Sequence, residues 1–206
     1  MKIIAISVCV NYADLFRIAL KTNAGLLDHI YVVTTPDDIH TQDLCKLYSN
    51  ITVIVSHSIH KNNAKFNKAA MVREAQDIVH KQHADDWIVL LDADIVLPEC
   101  FKEKFNKDMG KTSLYSIPRV DYHNLESYMS KCNGKKYPYK FMGYAQIYHD
   151  KTKIYPESST SCAVCDEIFS KQFLCKCELT LGEPCAHLGQ EKINWDGRKS
   201  PLWEAD

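Results

Sequence analysis

The stretch WIVLLDADIVLP (residues 87–98) sets two carboxylates, Asp92 and Asp94, one residue apart where an apolar run ends, and a second apolar run resumes behind them. Residues two apart on an extended backbone project to one side of it. Two carboxylates held there repel each other unless a cation or hydrogen-bond donors absorb the charge. A divalent metal is the simplest answer, and hard oxygen ligands suit Mg²⁺ or Mn²⁺, which keep positions open for substrate phosphates. Such an ion neutralises a departing diphosphate. A turn or helix cap at a strand exit would use the same residue type without that chemistry.

The elements around the pair decide between these. Lys2–Val8 (KIIAISV), His29–Thr35 (HIYVVTT), Ile51–Val55 (ITVIV) and Trp87–Leu91 (WIVLL) are short β-branched or apolar runs of the kind buried on both faces of a sheet. Between them, Ala13–Leu27 places Leu15, Ile18 and Ala19 on one helical face, residues 36–49 offer Pro and Asp as helix-start chemistry, and Phe66–His83 places Met71, Ala75 and Ile78 at helical intervals. This alternation predicts an α/β fold with a mostly parallel central sheet, helices on both faces and right-handed crossovers. In such sheets ligands bind beyond the carboxyl ends of the strands, which is where Asp92 and Asp94 stand. The later runs Thr112–Pro118 and Met142–His149 read as further strands, but the polar stretch Val120–Lys140 reads as irregular and function-bearing.

Bulk properties narrow the partners. The 206 residues suit one domain, with a nucleotide-binding half over about 1–100 and an acceptor half over about 101–206, whether alone or within a longer chain. The formal charge is −1 with both signs interspersed, so no general basic surface advertises nucleic acid or anionic membrane, and a small-molecule partner is expected. The opening MKIIAISVCV is too short for a signal-peptide core, and no apolar run approaches the roughly 18 residues of a membrane span. The nine cysteines accordingly read as thiols in a cytoplasmic protein.

The segment FNKAAMVREAQDIVHKQHADDWIVLLDADIVLP (residues 66–98) resembles that of GT-A glycosyltransferases in which a helix precedes the strand bearing a D-x-D motif. A nearer likeness is to the glycosyltransferase domains of large chlorella-virus proteins that build capsid glycans, which would place the chain in the host cytoplasm. The resemblance implies a GT-A, Rossmann-like fold. It also implies metal-dependent transfer of a hexose or deoxyhexose from a UDP-linked sugar to a glycan acceptor hydroxyl, with inversion. By that likeness Val8 and Val10 would line the uracil, and Thr34, Thr35 and Asp37 would face base or ribose, although many members carry an Asp directly at the end of strand two where this chain has threonines. Lys65 and Lys68 would lie near the ribose or diphosphate. Asp92 and Ala93 would meet the ribose, Asp92 also reaching the metal or its water, while Asp94 and His187 would ligate Mn²⁺ or Mg²⁺. Asp166 would be the base that deprotonates the acceptor, with Glu167 as second choice, and Trp195 would pack against a sugar ring.

Each assignment has a plain counterpart. Residues 36–38 and Asp166 could simply open helices, the lysines could be solvated surface charges, and His187 could be structural. Two rival functions also stand. A sugar nucleotidyltransferase would ordinarily show a Gly-rich loop with basic residues after strand one, and SVCVNYADLF has neither. A non-catalytic zinc-stabilised binding module would use Cys162, Cys165, Cys175, Cys177 and Cys185, whose spacing departs from standard zinc patterns.

Overall fold

The computed structural model describes residues 1–105, 109–137, 141, 143–157, 162–179 and 181–189. In chain order the elements are β1 (Ile3–Val8), α1 (Ala13–Leu26), β2 (His29–Thr34), α2 (Ile39–Cys45), β3 (Ile51–Val55), a 3-10 turn (Ser58–Asn63), α3 (Lys68–Gln82), β4 (Trp87–Leu91), β5 (Ile95–Val96), α4 (Phe101–Lys104), β6 (Leu114–Ser116), β7 (Arg119–Tyr122), α5 (Leu125–Ser130), β8 (Lys135–Lys136), β9 (Ala145–Tyr148), α6 (Cys162–Lys171), β10 (Lys176–Glu178) and β11 (Cys185–Leu188). They form a seven-stranded sheet in the order β10-β6-β9-β4-β1-β2-β3 and a four-stranded sheet in the order β5-β11-β7-β8. In the large sheet β9 runs antiparallel to both its neighbours, and the other pairings are parallel. This is a Rossmann-like mixed α/β fold, as the alternating runs predict.

The apolar runs without alternation explain the layers. Along β1, Ile3 and Ala5 enter the core cluster shared with Leu15, Phe16 and Ala19 of α1, while Ile4 and Ile6 enter the opposite cluster with Met71, Val72 and Ala75 of α3 and Phe169 of α6. Residues Ile3 to Ile6 of β1 are therefore buried whichever way they point. Burial of large apolar side chains such as these stabilises the fold by about 1.5–3 kcal/mol each.

Two expectations need correction. Residues 120–140 are not irregular throughout: they contain the end of β7, then α5 and β8, and β7 is a buried partner of β11. Asn124 caps α5 through Ser127 N–H, and Lys131 ends it in the left-handed region (φ 54°). The sequence lacks a long apolar run here because these strands belong to the small second sheet, whose elements are only two to four residues long. The cysteines weighed as a zinc set are also dispersed: Cys165 lies in the α3/α6 core, Cys185 in the opposite one, and Cys175 and Cys177 are exposed. The Cys162 side chain and Trp195 lie outside what is described. Among the described residues no helix is long and apolar enough to cross a membrane.

Candidate functional site

Strand β4 stops at Leu91 because the next residues turn. Asp92 N–H donates to Tyr144 O at 3.0 Å, closing the last rung against β9, and Ile95 N–H donates back to Asp92 O at 3.2 Å. The D-x-D segment is thus a tight turn, which corrects the extended geometry expected of it, and its two carboxylates acquire different partners. After the turn the chain enters the small sheet as β5. Buried Asn23 of α1 holds it there, its amide donating to Ile95 O at 2.7 Å and its carbonyl accepting from Leu97 N–H at 2.9 Å.

On one flank stands Lys68, the first residue of α3, just after Asn67 has capped the helix by accepting from Ala70 N–H. The Lys68 Nζ lies 2.6 Å from Asp92 Oδ1 and 3.4 Å from Asp166 Oδ2. Burial disfavours the ammonium, but Asp166 and Asp92 outweigh it and hold the amine protonated well above lysine's usual value. Burial, only partly offset by Lys68, raises Asp92 above the usual carboxylate range, with Asp166 and Asp94 adding to the rise. Asp166 is itself buried in α6, where the Tyr155 hydroxyl donates to its carboxylate. Gly143 passes directly over it: a Cβ at that position would stand 1.8 Å from Asp166 Oδ2. Gln146 of β9 ties the backbone down, its amide donating to the carbonyls of Asp166 (3.1 Å) and Phe141 (2.9 Å).

On the other flank, β11 pairs antiparallel with β5 and brings His187 opposite Ile95. His187 Nε2 lies 3.4 Å from Asp94 Oδ2, and its Nδ1 lies 3.1 Å from Asp121 Oδ1 of β7. Asp121 is held at 2.7 Å by Arg119, whose guanidinium stacks over Tyr137 (3.6 Å to the ring centre) and Tyr144 (4.7 Å). Burial works against the imidazolium, yet Asp94 and Asp121 lift His187 to about 9. His187 in turn, against burial, holds Asp94 below the usual carboxylate range.

Of the residues singled out in the sequence, Asp92, Asp94, Lys68, Asp166 and His187 converge around this turn, with Ala93 buried at its apex. Val8 and Val10 are half-buried and pack against the α3-side core, as Ile54, Ile59, Phe66 and Phe141 also do. Thr34 and Thr35 are buried, Thr34 donating to Asp38 at 3.1 Å. Asp38, and not Asp37, is the structural carboxylate of that loop: it caps α2 through Thr41 N–H and accepts from Asn11 N–H at 2.7 Å, anchoring a residue held at φ 59°. Asp37 is exposed, its carboxyl held below the usual range by the Thr35 hydroxyl. Lys65 is exposed before α3, and Glu167 is exposed and paired with Lys171 at 2.6 Å. Sequence reasoning missed Arg119, Asp121, Gly143, Gln146 and Tyr155. They come from loops and short strands with no motif, and only the pairings of β7 with β11 and β9 with β4 bring them in.

A divalent ion can be tested against these groups. Asp94 Oδ2 and His187 Nε2 face each other at a separation that one ion could bridge, while Asp92 has an oxygen committed to Lys68. Among the described residues no group of three or more His, Cys, Asp or Glu side chains is gathered tightly enough to hold a metal alone. Asp94 and His187 could therefore supply only part of a divalent ion's shell, with the remaining positions open to other ligands.

No protein-family model matches the sequence, and no curated protein matches it. Among solved structures it superposes on the 4-diphosphocytidyl-2C-methyl-D-erythritol synthase of Anaerococcus prevotii DSM 20548 with a TM-score of 0.52 and 15% identity, over 92% of this chain and 90% of that one. The likeness is one of fold. A second 4-diphosphocytidyl-2C-methyl-D-erythritol synthase matches at TM-score 0.47 and 13% identity, over 97% and 93% of the two chains.

Proposed function

We propose that the protein is a metal-dependent glycosyltransferase that moves a hexose or deoxyhexose from a UDP-linked sugar to a glycan hydroxyl with inversion. The observation that carries this reading is the facing pair Asp94 and His187, the first in the turn at the carboxyl end of β4 and the second brought to it by β11, far away in sequence. Asp94 and His187 would hold Mn²⁺ or Mg²⁺, whose chemistry is to neutralise the diphosphate as it leaves. Val8 and Val10 offer an apolar rim to the uracil, with Thr35 and Asp37 at its border, Asp92 and Ala93 beside the ribose, and Lys65 and Lys68 on the phosphate side. Asp166 would take the acceptor's proton as the new C–O bond forms and the bond to the diphosphate breaks, the electron pair leaving with UDP. Tyr155 and Lys68 keep its carboxylate in one orientation, and Gly143 leaves room for it.

The fold likeness to a synthase of a diphosphocytidyl compound supports a second reading, nucleotidyl transfer to a sugar phosphate. Against it stands the exit of β1, where Cys9, Val10, Asn11 and Tyr12 lead into α1 without a glycine or a basic side chain to cradle a triphosphate. Calorimetric titration of UDP, GDP and CTP into the metal-stripped protein, with and without Mn²⁺, separates the two. Glycosyl transfer expects Mn²⁺-dependent UDP binding that Asp94→Ala abolishes and slow release of UDP from UDP-sugars. Preference for a triphosphate, with pyrophosphate released in the presence of sugar phosphates, would replace this reading with the second.

A further inference from the structure

Asp121 takes no part in any assignment above, yet it is buried and held by two partners. It is 2% exposed, sits on β7 directly opposite His187 of β11, and places Oδ1 3.1 Å from His187 Nδ1. Arg119, two residues earlier on the same strand and so on the same face, fixes the carboxylate at 2.7 Å. The guanidinium is itself stacked over Tyr137 and Tyr144. Tyr144 is anchored at both ends, its hydroxyl donating to Ile117 O at 2.7 Å and its carbonyl accepting from Asp92 N–H at 3.0 Å. The contacts therefore close a ring: from Asp92 through Tyr144, Arg119, Asp121 and His187 to Asp94, beginning and ending on the same turn.

We propose that Asp121 is a positioning residue for a divalent transition-metal ion, holding the Nδ1–H of His187 so that Nε2 and Asp94 present one nitrogen and one oxygen to the ion. The inference rests on the metal-dependent reading above and deepens it. An imidazole has two non-equivalent nitrogens, and the hydrogen bond on one decides what the other can do. A carboxylate on the far nitrogen orients the ring and strengthens the near nitrogen as a ligand, and its loss lowers metal affinity by roughly 10- to 100-fold in comparable sites. A nitrogen ligand also shifts the preference from Mg²⁺, which favours all-oxygen shells, toward first-row transition ions, which accept imidazole more readily.

The test is a Mn²⁺ titration in the presence of UDP, followed by electron paramagnetic resonance, with spin-echo modulation of the bound ion to detect a directly coordinated nitrogen. Parent protein is expected to bind Mn²⁺ with a nitrogen signature that His187→Ala removes. Asp121→Asn is expected to bind Mn²⁺ about 10- to 100-fold more weakly, with the nitrogen signature reduced or lost. Should Asp121→Asn fail to fold, because Arg119 loses its partner, Asp121→Glu keeps the charge and displaces the carboxylate from Nδ1, and the same pair of changes is expected. If Asp121→Asn keeps both affinity and signature, Asp121 is not a positioning residue. A parent protein that binds Mn²⁺ with no nitrogen signal overturns the inference while leaving Asp94 and the diphosphate reading in place. Absence of Mn²⁺ binding in the parent, with or without UDP, overturns both.

Discussion

The two flanks of the β4 turn solve the same electrostatic problem differently. On the α3 side, Asp92 and Asp166 share the Lys68 ammonium, and Tyr155 supplies a neutral donor. On the small-sheet side, Asp94 and Asp121 share the permanent charge of Arg119 and a histidine whose charge depends on pH. The first flank is closed by a group that stays protonated. The second is closed by a group that loses its proton as pH rises. The turn thus supplies one carboxylate to a cation that is fixed and one to a cation whose charge is set by pH.

The largest expected effect breaks the fixed flank. Lys68→Met would leave Asp92 and Asp166 facing each other without their ammonium, and removal of one partner from a buried ion pair typically costs about 3–5 kcal/mol. Asp92 keeps 35% of its side-chain surface exposed, which moves the expectation to the lower end, about 3 kcal/mol. Urea denaturation should show it as a lower midpoint with the slope unchanged. A loss no larger than that of a surface lysine would mean that solvent screens the pair and that the flanks do not differ as argued.

The same flank admits a steric test. Gly143→Ala would place a methyl group 1.8 Å from Asp166 Oδ2, so either the carboxylate or the strand entry must move. Overpacking of this kind costs about 1–3 kcal/mol. Transferase activity should fall further than stability does, because the displaced group is Asp166. A variant that is destabilised yet fully active would remove Asp166 from the reaction.

The small-sheet flank should reveal itself in the pH dependence of stability. The pKa of His187 is raised in the folded state, from the ordinary 6.5 to about 9, so its contribution is fully present below about pH 6.5 and is lost as pH rises through about 9. A shift of that size is worth roughly 3 kcal/mol. The stability difference between parent and His187→Gln should therefore shrink on going from pH 6 to pH 9.5 in metal-free buffer. Mn²⁺ with UDP should restore it at high pH, where the imidazole is free to bind. A difference that is flat with pH would mean that His187 is neutral in the fold and that Asp94 is held by something else.

Much of the parallel sheet was legible because its strands are unbroken apolar runs separated by helical spacing, and both patterns survive without knowledge of the partners. The site was legible only where chemistry sits in one short stretch. Asp92 and Asp94 could be found because they interrupt WIVLL and IVLP, and Lys68 and Asp166 because a family resemblance drew attention to their segments, although only Lys68 opens a helix and Asp166 lies a turn inside α6 rather than at the expected start. Arg119 and Asp121 sit in an ordinary polar stretch, and only the register of β7 against β11 makes them neighbours of His187. Gly143 is unremarkable in sequence, since its requirement is steric and comes from a side chain on α6. Even the D-x-D spacing misled on geometry: the hydrogen bond from Ile95 to Asp92 turns the chain, and so the carboxylates divide between flanks.

The smallest expected effect distinguishes the two adjacent carboxylates of α6. Asp166 is buried among Lys68, Tyr155 and Gly143, whereas Glu167 is exposed and pairs with Lys171 one helical turn away. Exposed pairs of that kind contribute little, because solvent and salt screen them and two long side chains must be ordered to form them. Glu167→Gln should accordingly leave the denaturation midpoint, UDP binding and transfer rate where they were. Asp166→Asn keeps the shape and the Tyr155 contact but cannot accept the acceptor's proton. It should retain UDP binding while the transfer rate at saturating acceptor collapses. If the two variants behave alike in that assay, neither carboxylate is the base, and the proton must leave by a group outside the buried set around Lys68.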